Sequence, residues 1–267
     1  MINIKPKISI ITVVFNGENT IKDTINSIVN QSFLNYEYII IDGCSTDNTL
    51  NIINEFSDKI SHIISEPDKG IFDAMNKGLL VAKGEWIIFI NSGDLLYEKD
   101  TLFKVFNSNI NFSAFDLIYG DVFLYDNKDA YLFKSKTSKI KINLNAICHQ
   151  SVLIRKRSHD FFDLRYKLSA DHKIIYKLFK SNKVFYTNFI ISKILIGGVS
   201  SNLLKTRNEK FLITWECGNL FDKTFAILFY VYGGTKEVVK NILVKFFPYN
   251  FFTFFRNLKN SIESGNV

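Results

Sequence analysis

Four short apolar runs, each cut off by a polar turn and followed by a segment of helical periodicity, limit what this chain can become. Ile8-Ser9-Ile10-Ile11-Thr12-Val13-Val14-Phe15, Tyr38-Ile39-Ile40-Ile41-Asp42, the stretch 60–64 and Trp86-Ile87-Ile88-Phe89-Ile90 have strand lengths and are rich in β-branched residues. Between them Ile21, Ile25, Ile28 and Val29, then Leu50, Ile53 and Phe56, then Ile71, Ala74, Met75, Leu79 and Ala82 recur at helical spacing. Strands alternating with helices through four repeats imply parallel βαβ units with right-handed crossovers. The first hundred residues therefore read as a nucleotide-type α/β sheet, with Gly84 closing the third helix at C′. The run 86–90 reads as a strand buried on both faces, and it stops in Asn91-Ser92-Gly93-Asp94. Ligands of open α/β sheets bind beyond the carboxyl ends of the strands. A carboxylate at that place can hold a cation and, through it, a phosphate.

Beyond Asp94 the pattern loosens. The stretch 102–106 reads as a helix, 116–125 as a strand bent at Gly120, and 131–133 as its hairpin partner. The stretch 147–154 is strand-like, Ile174, Ile175, Leu178 and Phe179 mark a helix following Asp171, and 184–196 is extended up to Gly197-Gly198. From residue 201 the chain turns helical and aromatic. Val238, Val239, Ile242, Leu243, Phe246 and Phe247 form one stripe, with Lys236, Lys240 and Lys245 largely off it. This divides the chain into 1–94, 95–200 and an appendage, 201–267.

The charge is divided as unevenly as the pattern. Residues 1–127 carry 9 Lys/Arg against 17 Asp/Glu, and residues 128–267 carry 24 against 9. An acidic half suits a cation, and a basic, aromatic C-terminal helix suits an anionic membrane surface. No nucleic-acid-binding motif appears, so nucleic acid is not an expected partner. Cys44, Cys148 and Cys217 are odd in number and widely spaced, which argues for a reducing compartment and against a disulfide framework. The stretch 8–15 is too short and polar for a signal peptide, and the apolar run 225–232 falls well below the roughly 18–20 residues that span a bilayer. The expected location is the cytoplasm, on the inner face of the cytoplasmic membrane.

Several motifs, in order, resemble those of family 2 glycosyltransferases with the GT-A fold. They are Thr12-Val13-Val14-Phe15-Asn16; Ile41-Asp42-Gly43-Cys44-Ser45-Thr46-Asp47-Asn48-Thr49; Asp68-Lys69-Gly70 with Ala74, Asn76 and Gly78; and the aspartate turn, reduced here to Asn91-Ser92-Gly93-Asp94. The run 67–78 is most similar to transferases of bacterial exopolysaccharide and O-antigen assembly. The resemblance implies an α/β, Rossmann-like mixed sheet flanked by helices, with a helical C-terminal appendage. It implies an inverting transferase moving a sugar from a nucleotide-diphosphate donor, expected to be a UDP-sugar, to a glycan on a polyprenyl-pyrophosphate carrier.

By the same resemblance Val14, Asn16, Asp42, Asp68, Asn76, Asn91 and Ser92 hold the donor, with Asp42 reading the base. Asp94 and His149 are the candidate ligands of a divalent cation, Mn or Mg, which would stabilise the diphosphate leaving group as a Lewis acid. Inversion needs a base for the acceptor hydroxyl. Asp171 at a helix head is the first candidate, and Asp121 the second, for base or acceptor binding. Asp47 reads equally as a helix cap, Asp73 shares a helix face with Asn76, and Gly197-Gly198-Val199-Ser200 resembles a loop that closes the site. A Rossmann dehydrogenase is disfavoured because no GxGxxG follows the first strand. A nucleotidyltransferase, or a GT-A-like protein that only binds glycan or membrane, stays open.

Overall fold

The computed structural model describes residues 5–126, 129–135, 147–196, 203–224 and 226–227. The loop Gly197-Gly198-Val199-Ser200 and the stripe from Val238 to Phe247 lie outside the described residues. The chain forms two compact units, Met1–Lys210 and Phe211–Val267.

The first unit opens with β1 (Ile8–Val14), α1 (Ile21–Val29), β2 (Tyr36–Asp42), α2 (Thr49–Asn54), β3 (His62–Ser65), α3 (Ile71–Val81) and β4 (Trp86–Phe89). β1 pairs in parallel with β2 on one side and β4 on the other, and β2 pairs in parallel with β3. Every residue of β1 and β4 is buried, as expected of strands covered on both faces. α1 turns Ile21, Ile25 and Ile28 inward, and α3 turns Phe72, Ala74, Met75 and Leu79.

β5 (Leu95–Leu96), α4 (Thr101–Phe106), β6 (Leu117–Tyr125), β7 (Ala130–Phe133), β8 (Val152–Arg155), α5 (Ala170–Lys180), β9 (Val184–Leu195) and α6 (Leu203–Cys217) follow. Among the described residues the sheet order is β3-β2-β1-β4-β8-β6-β9-β5, with β7 paired to β6. β8 runs antiparallel between β4 and β6, which makes the sheet mixed. The expected bend at Gly120 is a register shift between β6 and β9, where a Cβ on residue 120 would lie 2.4 Å from the Phe189 carbonyl oxygen.

Two expectations fail for local reasons. The stretch 147–154 is extended only at β8. Before it, His149–Ser151 form a 3-10 turn closed by the Ser151 N–H on the Cys148 carbonyl, 3.0 Å. That turn aims His149 and Gln150 away from the sheet ladder. Nor does Gly84 cap α3. The helix ends at Val81, and Ala82 is already extended with ψ 134. Gly84 serves a close approach instead: a Cβ there would sit 2.4 Å from the Ser9 nitrogen. Its N–H donates both to Ser9 Oγ and to the buried Glu37 carboxylate, each at 2.8 Å.

In the second unit, Phe211 stacks on Trp215 at 6.0 Å, and the Lys223 ammonium lies 5.4 Å from the Trp215 ring centre. Leu212, Trp215, Leu220, Phe221 and Ile227 are exposed. No helix among the described residues is long and apolar enough to cross a membrane.

A methyl at residue 84 has to displace backbone of the central strand. Gly84→Ala should therefore destabilise the protein by about 1–3 kcal/mol, the range for forced overpacking. Thermal denaturation of the variant, expected to melt several degrees lower, checks this.

Candidate active site

Two polar turns hang from the carboxyl end of β1. On the β2 side, the Gly43 N–H donates to the Val14 carbonyl, 2.8 Å, and starts the loop 43–48. Asn16 sits in the left-handed region, φ 50, where an Asn is tolerated. Its N–H donates to Ser45 Oγ (2.8 Å) and its Oδ1 accepts from the Thr46 N–H (2.9 Å), so it binds loop to strand. Asp68 Oδ1 accepts from the Gly70 N–H at 2.7 Å, and Oδ2 lies where a Cβ on Gly43 would approach to 2.5 Å. Phe15, read from the sequence only as the end of a strand, is 63% exposed at this tip.

Asp42, expected to read the base, supports the loop 43–48. It is fully buried, and its carboxylate accepts from the Ser45 N–H (3.0 Å), Ser45 Oγ (2.5 Å) and Ser65 Oγ (2.6 Å). It builds the loop from beneath. Asn76 is likewise used elsewhere. Its Nδ2 donates to the Phe162 carbonyl (3.0 Å) and its Oδ1 accepts from the Phe162 N–H (2.8 Å), which fastens α3 to the segment before α5.

On the β4 side, Asn91-Ser92-Gly93-Asp94 forms the second turn. The Ser92 N–H donates to the Val13 carbonyl (3.2 Å), the Asp94 N–H donates to the Asn91 carbonyl (2.9 Å), and Ser92 Oγ meets Thr20 Oγ1 at 2.8 Å. Gly93 holds φ 95, which a residue with a Cβ rarely adopts. Asn91 and Asp94 are buried at 8% and 7% exposure.

The 3-10 turn ahead of β8 grips this turn. Gln150 Nε2 donates to Asp94 Oδ2 at 3.0 Å. His149 Nε2 lies 3.2 Å from Asn91 Nδ2, and its Nδ1 lies 3.1 Å from Asp171 Oδ2, in the first turn of α5. Nδ1 faces the carboxylate and Nε2 faces the amide, so both ring nitrogens are engaged by protein. His149 thus bridges Asn91 and Asp171. The sequence gives Gln150 no role beyond its place in Cys148-His149-Gln150, and its contact with Asp94 is seen only in the fold.

The two carboxylates are tuned in opposite directions. Burial pushes Asp94 up to about 6, outweighing the Gln150 hydrogen bond and the charge of His149. Burial acts on Asp171 in the same sense, but the His149 hydrogen bond and charge, with Lys210, hold it down at about 2. Burial also opposes protonation of His149, and the Asp171 hydrogen bond and charge win, so its basicity is raised. Asp121 is not brought into this cluster by its hydrogen bonds. Its buried carboxylate accepts from the Ser135 N–H (2.7 Å) and from the Tyr186 hydroxyl (2.9 and 3.0 Å), tying β6 to β9.

The donor set fits a divalent cation shared with a phosphate ligand. Asn91 Oδ1 is buried without a hydrogen-bond partner, in the same turn as the Asp94 carboxylate. Hard oxygen ligands of this kind suit Mg²⁺ or Mn²⁺. Among the described residues no three His, Cys, Asp or Glu side chains converge, so phosphate and water oxygens would complete the shell.

The sequence matches Glycosyl transferase family 2 over residues 9–176. A PGL/p-HBAD biosynthesis glycosyltransferase of Mycobacterium tuberculosis is 31% identical over 209 residues, covering 74% of this chain and 81% of the relative. The chain belongs to glycosyltransferase family 2. It is a glycosyltransferase, and the nucleotidyltransferase and binding-only alternatives fall away. A putative teichuronic acid biosynthesis glycosyltransferase of Bacillus subtilis is 37% identical over 107 residues, 39% of this chain and 42% of the relative. Among solved structures, S. aureus TarS in complex with UDP superposes with TM-score 0.63 at 18% identity, over 82% of this chain and 68% of that one. The Pyrobaculum calidifontis mannosyltransferase in complex with GDP-Man and Mn²⁺ gives 0.65 at 13%, over 85% and 70%. The fold of this glycosyltransferase is GT-A.

The raised Asp94 has a thermodynamic consequence. Its folded-state pKa, about 6, lies above the ordinary aspartate value of 3.8. The native state therefore holds its proton longer, and stability falls as pH rises between those values. Asp94→Asn should remove this cost, stabilising the protein at pH 7 by on the order of 2–3 kcal/mol. The difference should vanish near pH 4, as read by denaturant titrations at both pH values.

Proposed function

We propose that the enzyme is an inverting transferase that moves a sugar from a nucleotide-diphosphate donor, UDP-linked, to a growing surface glycan on a polyprenyl-pyrophosphate carrier. The observation that carries this reading is the single chain of contacts Asp94–Gln150 and Asn91–His149–Asp171, which sets a diphosphate-facing turn beside a carboxylate at a helix head. The relatives named for PGL/p-HBAD and teichuronic acid biosynthesis support a surface glycan as product class. TarS with UDP and with UDP-GlcNAc supports the uridine donor. The mannosyltransferase and a mycobacterial glucosyl-3-phosphoglycerate synthase, both in complex with Mn²⁺, support the cation.

In this reading the nucleoside lies on the loop 43–48, with exposed Phe15 offering a face to the base, Asp68 a hydrogen-bond acceptor, and Val14 and Asn16 holding the loop in place. Asn91, Ser92 and Asp94 face the diphosphate. A divalent cation on Asp94 and Asn91 would supply charge neutralisation for the leaving group. Asp171 accepts the proton of the acceptor hydroxyl as that oxygen bonds to the anomeric carbon. The bond from that carbon to the diphosphate breaks on the opposite face, its electrons leaving with the nucleoside diphosphate. His149 orients Asp171 and keeps it anionic at neutral pH, so it is unprotonated before attack. Asp121, which accepts from the Tyr186 hydroxyl, would serve acceptor binding in a supporting role.

The exposed apolar residues Leu212, Trp215, Leu220, Phe221 and Ile227, with Lys223 beside Trp215, support contact of the C-terminal unit with the inner leaflet. That contact would bring a lipid-linked acceptor to the site.

Asp94→Ala should reduce transfer by roughly 10²–10³-fold, the scale of losing one group that stabilises developing charge. Release of nucleoside diphosphate from a panel of UDP-sugars, with and without Mn²⁺, measures it. Near-normal turnover in the variant would sink the assignment of Asp94.

A further inference from the structure

Asp171 stands in the first turn of α5, yet α5 does little to fix its own start. Its N-cap residue, Ser169, makes no side-chain capping bond. The Ser169 hydroxyl donates instead to the Thr206 carbonyl on α6, 3.4 Å. The two residues before it are held from the same helix. Glu209 Oε1 accepts from the Lys167 N–H and Oε2 from the Leu168 N–H, each at 2.9 Å. Lys210, next on α6, is among the charges that act on Asp171. Three contacts from one helical turn of α6 therefore seat the entry to α5. The family match ends at residue 176, so this turn lies beyond it.

The arrangement differs from an ordinary cap. A carboxylate that accepts two successive N–H groups fixes both the position and the direction of the chain entering the helix. It also brings negative charge to the positive end of the α5 dipole. After the 3-10 turn Lys156–Ser158 no helix or strand intervenes until Ala170, and the connection is held to α5 by side chains, Asp163 on Lys173 (2.8 Å) and Asp160 on Lys177 (3.0 Å). Asn76 holds this connection at Phe162, seven residues short of the cap. On its far side Asp171 meets His149 at 3.1 Å. The carboxylate is thus located between an anchor on α6 and a partner ahead of β8.

We propose that Glu209 is a positioning residue for the transfer reaction: its bidentate grip on the Lys167 and Leu168 amides sets the place of Asp171 relative to the acceptor hydroxyl. This rests on the reading of Asp171 as the base. A displaced base lowers the rate of the chemical step and leaves UDP affinity little changed, because the hydrogen bonds that hold the nucleoside loop 43–48 run to Asn16, Glu18 and Asp42 and none of these to α5 or α6.

The test compares Glu209→Ala, Glu209→Gln, Asp171→Asn and the double variant Glu209→Ala/Asp171→Asn. Turnover with a UDP-sugar, UDP affinity by calorimetry and thermal midpoint are read for each. In Glu209→Ala, kcat should fall by about 100-fold, the scale of a misplaced reacting group. Glu209→Gln keeps one acceptor oxygen and should fall less. UDP affinity should stay within about twofold of wild type in both. On the Asp171→Asn background Glu209→Ala should cost nothing further, since the group it positions is gone. Losses that multiply in the double variant, or UDP affinity falling in step with kcat, would overturn the proposal; so would an unchanged kcat in Glu209→Ala. If Glu209→Ala does not fold, Glu209→Gln carries the same comparison. Undiminished transfer by Asp171→Asn alone would instead remove the base reading, a separate failure.

Discussion

A buried hydroxyl relay pins the sheet from which both halves of the site hang. Tyr38 Oη donates to Thr12 Oγ1 at 3.1 Å, and Thr12 Oγ1 donates to the Ile90 carbonyl at 2.6 Å. Both side chains are fully buried among isoleucines, and burial pushes the Tyr38 phenol well above its usual range. In so apolar a setting a hydroxyl without a partner costs about 1–3 kcal/mol. The isoleucines of β1 alone would tolerate a shifted alignment, because Ile8, Ile10 and Ile11 are nearly interchangeable. The relay does not tolerate it. It ties β2, β1 and the end of β4 in one register, with Val14 opposite Asp42 and Ile11 opposite Phe89. The Val13 and Val14 carbonyls are then free to take the Ser92 and Gly43 amides, and the two polar turns start side by side.

Contact between the metal-type turn and the candidate base comes from a different part of the chain. His149 and Gln150 face it because the residues before β8 wind into a 3-10 turn. An extended 149–151 would alternate faces and send one of the pair away. Wound as they are, Gln150 reaches Asp94 and His149 reaches both Asn91 and Asp171. The antiparallel entry of β8 beside β4 makes this possible, since its amino end arrives where β4 delivers its carboxyl end. A strand running in parallel would have delivered its carboxyl end there instead.

Periodicity made the strands, the helices and the parallel order of β1 to β4 legible, because burial on one or both faces is written directly into residue spacing. The places of Asn91 and Asp94 at a strand end and of Asp171 at a helix head were legible as well. What spacing cannot carry is the identity of a partner across the fold. Asp42 was expected by resemblance to read the base, and its hydrogen bonds to two serines, one of them 23 residues away, are not written in spacing. Asn76 looked like a donor contact, but Phe162, 86 residues on, takes both ends of its amide. His149 was visible as a functional residue, and its two nitrogens had to be located before its role as a bridge was clear. Glu209 gave no signal, for a glutamate on an exposed-looking helix is ordinary.

The electrostatics of the site follow from which carboxylate was given a protein cation. Asp171 has His149 and Lys210, which outweigh burial and leave it more acidic than in water, while burial holds His172 down at about 3 and so neutral. Asp94 has an amide and the more distant His149, and burial leaves it less acidic. Environments that separate two carboxylates in this way assign them different tasks. The compensated one is kept ionised at neutral pH. The uncompensated one sits beside a buried, partnerless Asn91 oxygen, and a positive charge supplied there would relieve both. A reduced aspartate cluster is in this sense no obstacle to cation binding. One carboxylate and one amide oxygen leave most of a cation's shell to other oxygens, and a diphosphate would bring them. Cation and donor would then bind together, and the leaving diphosphate would carry the cation's charge at the moment it needs it.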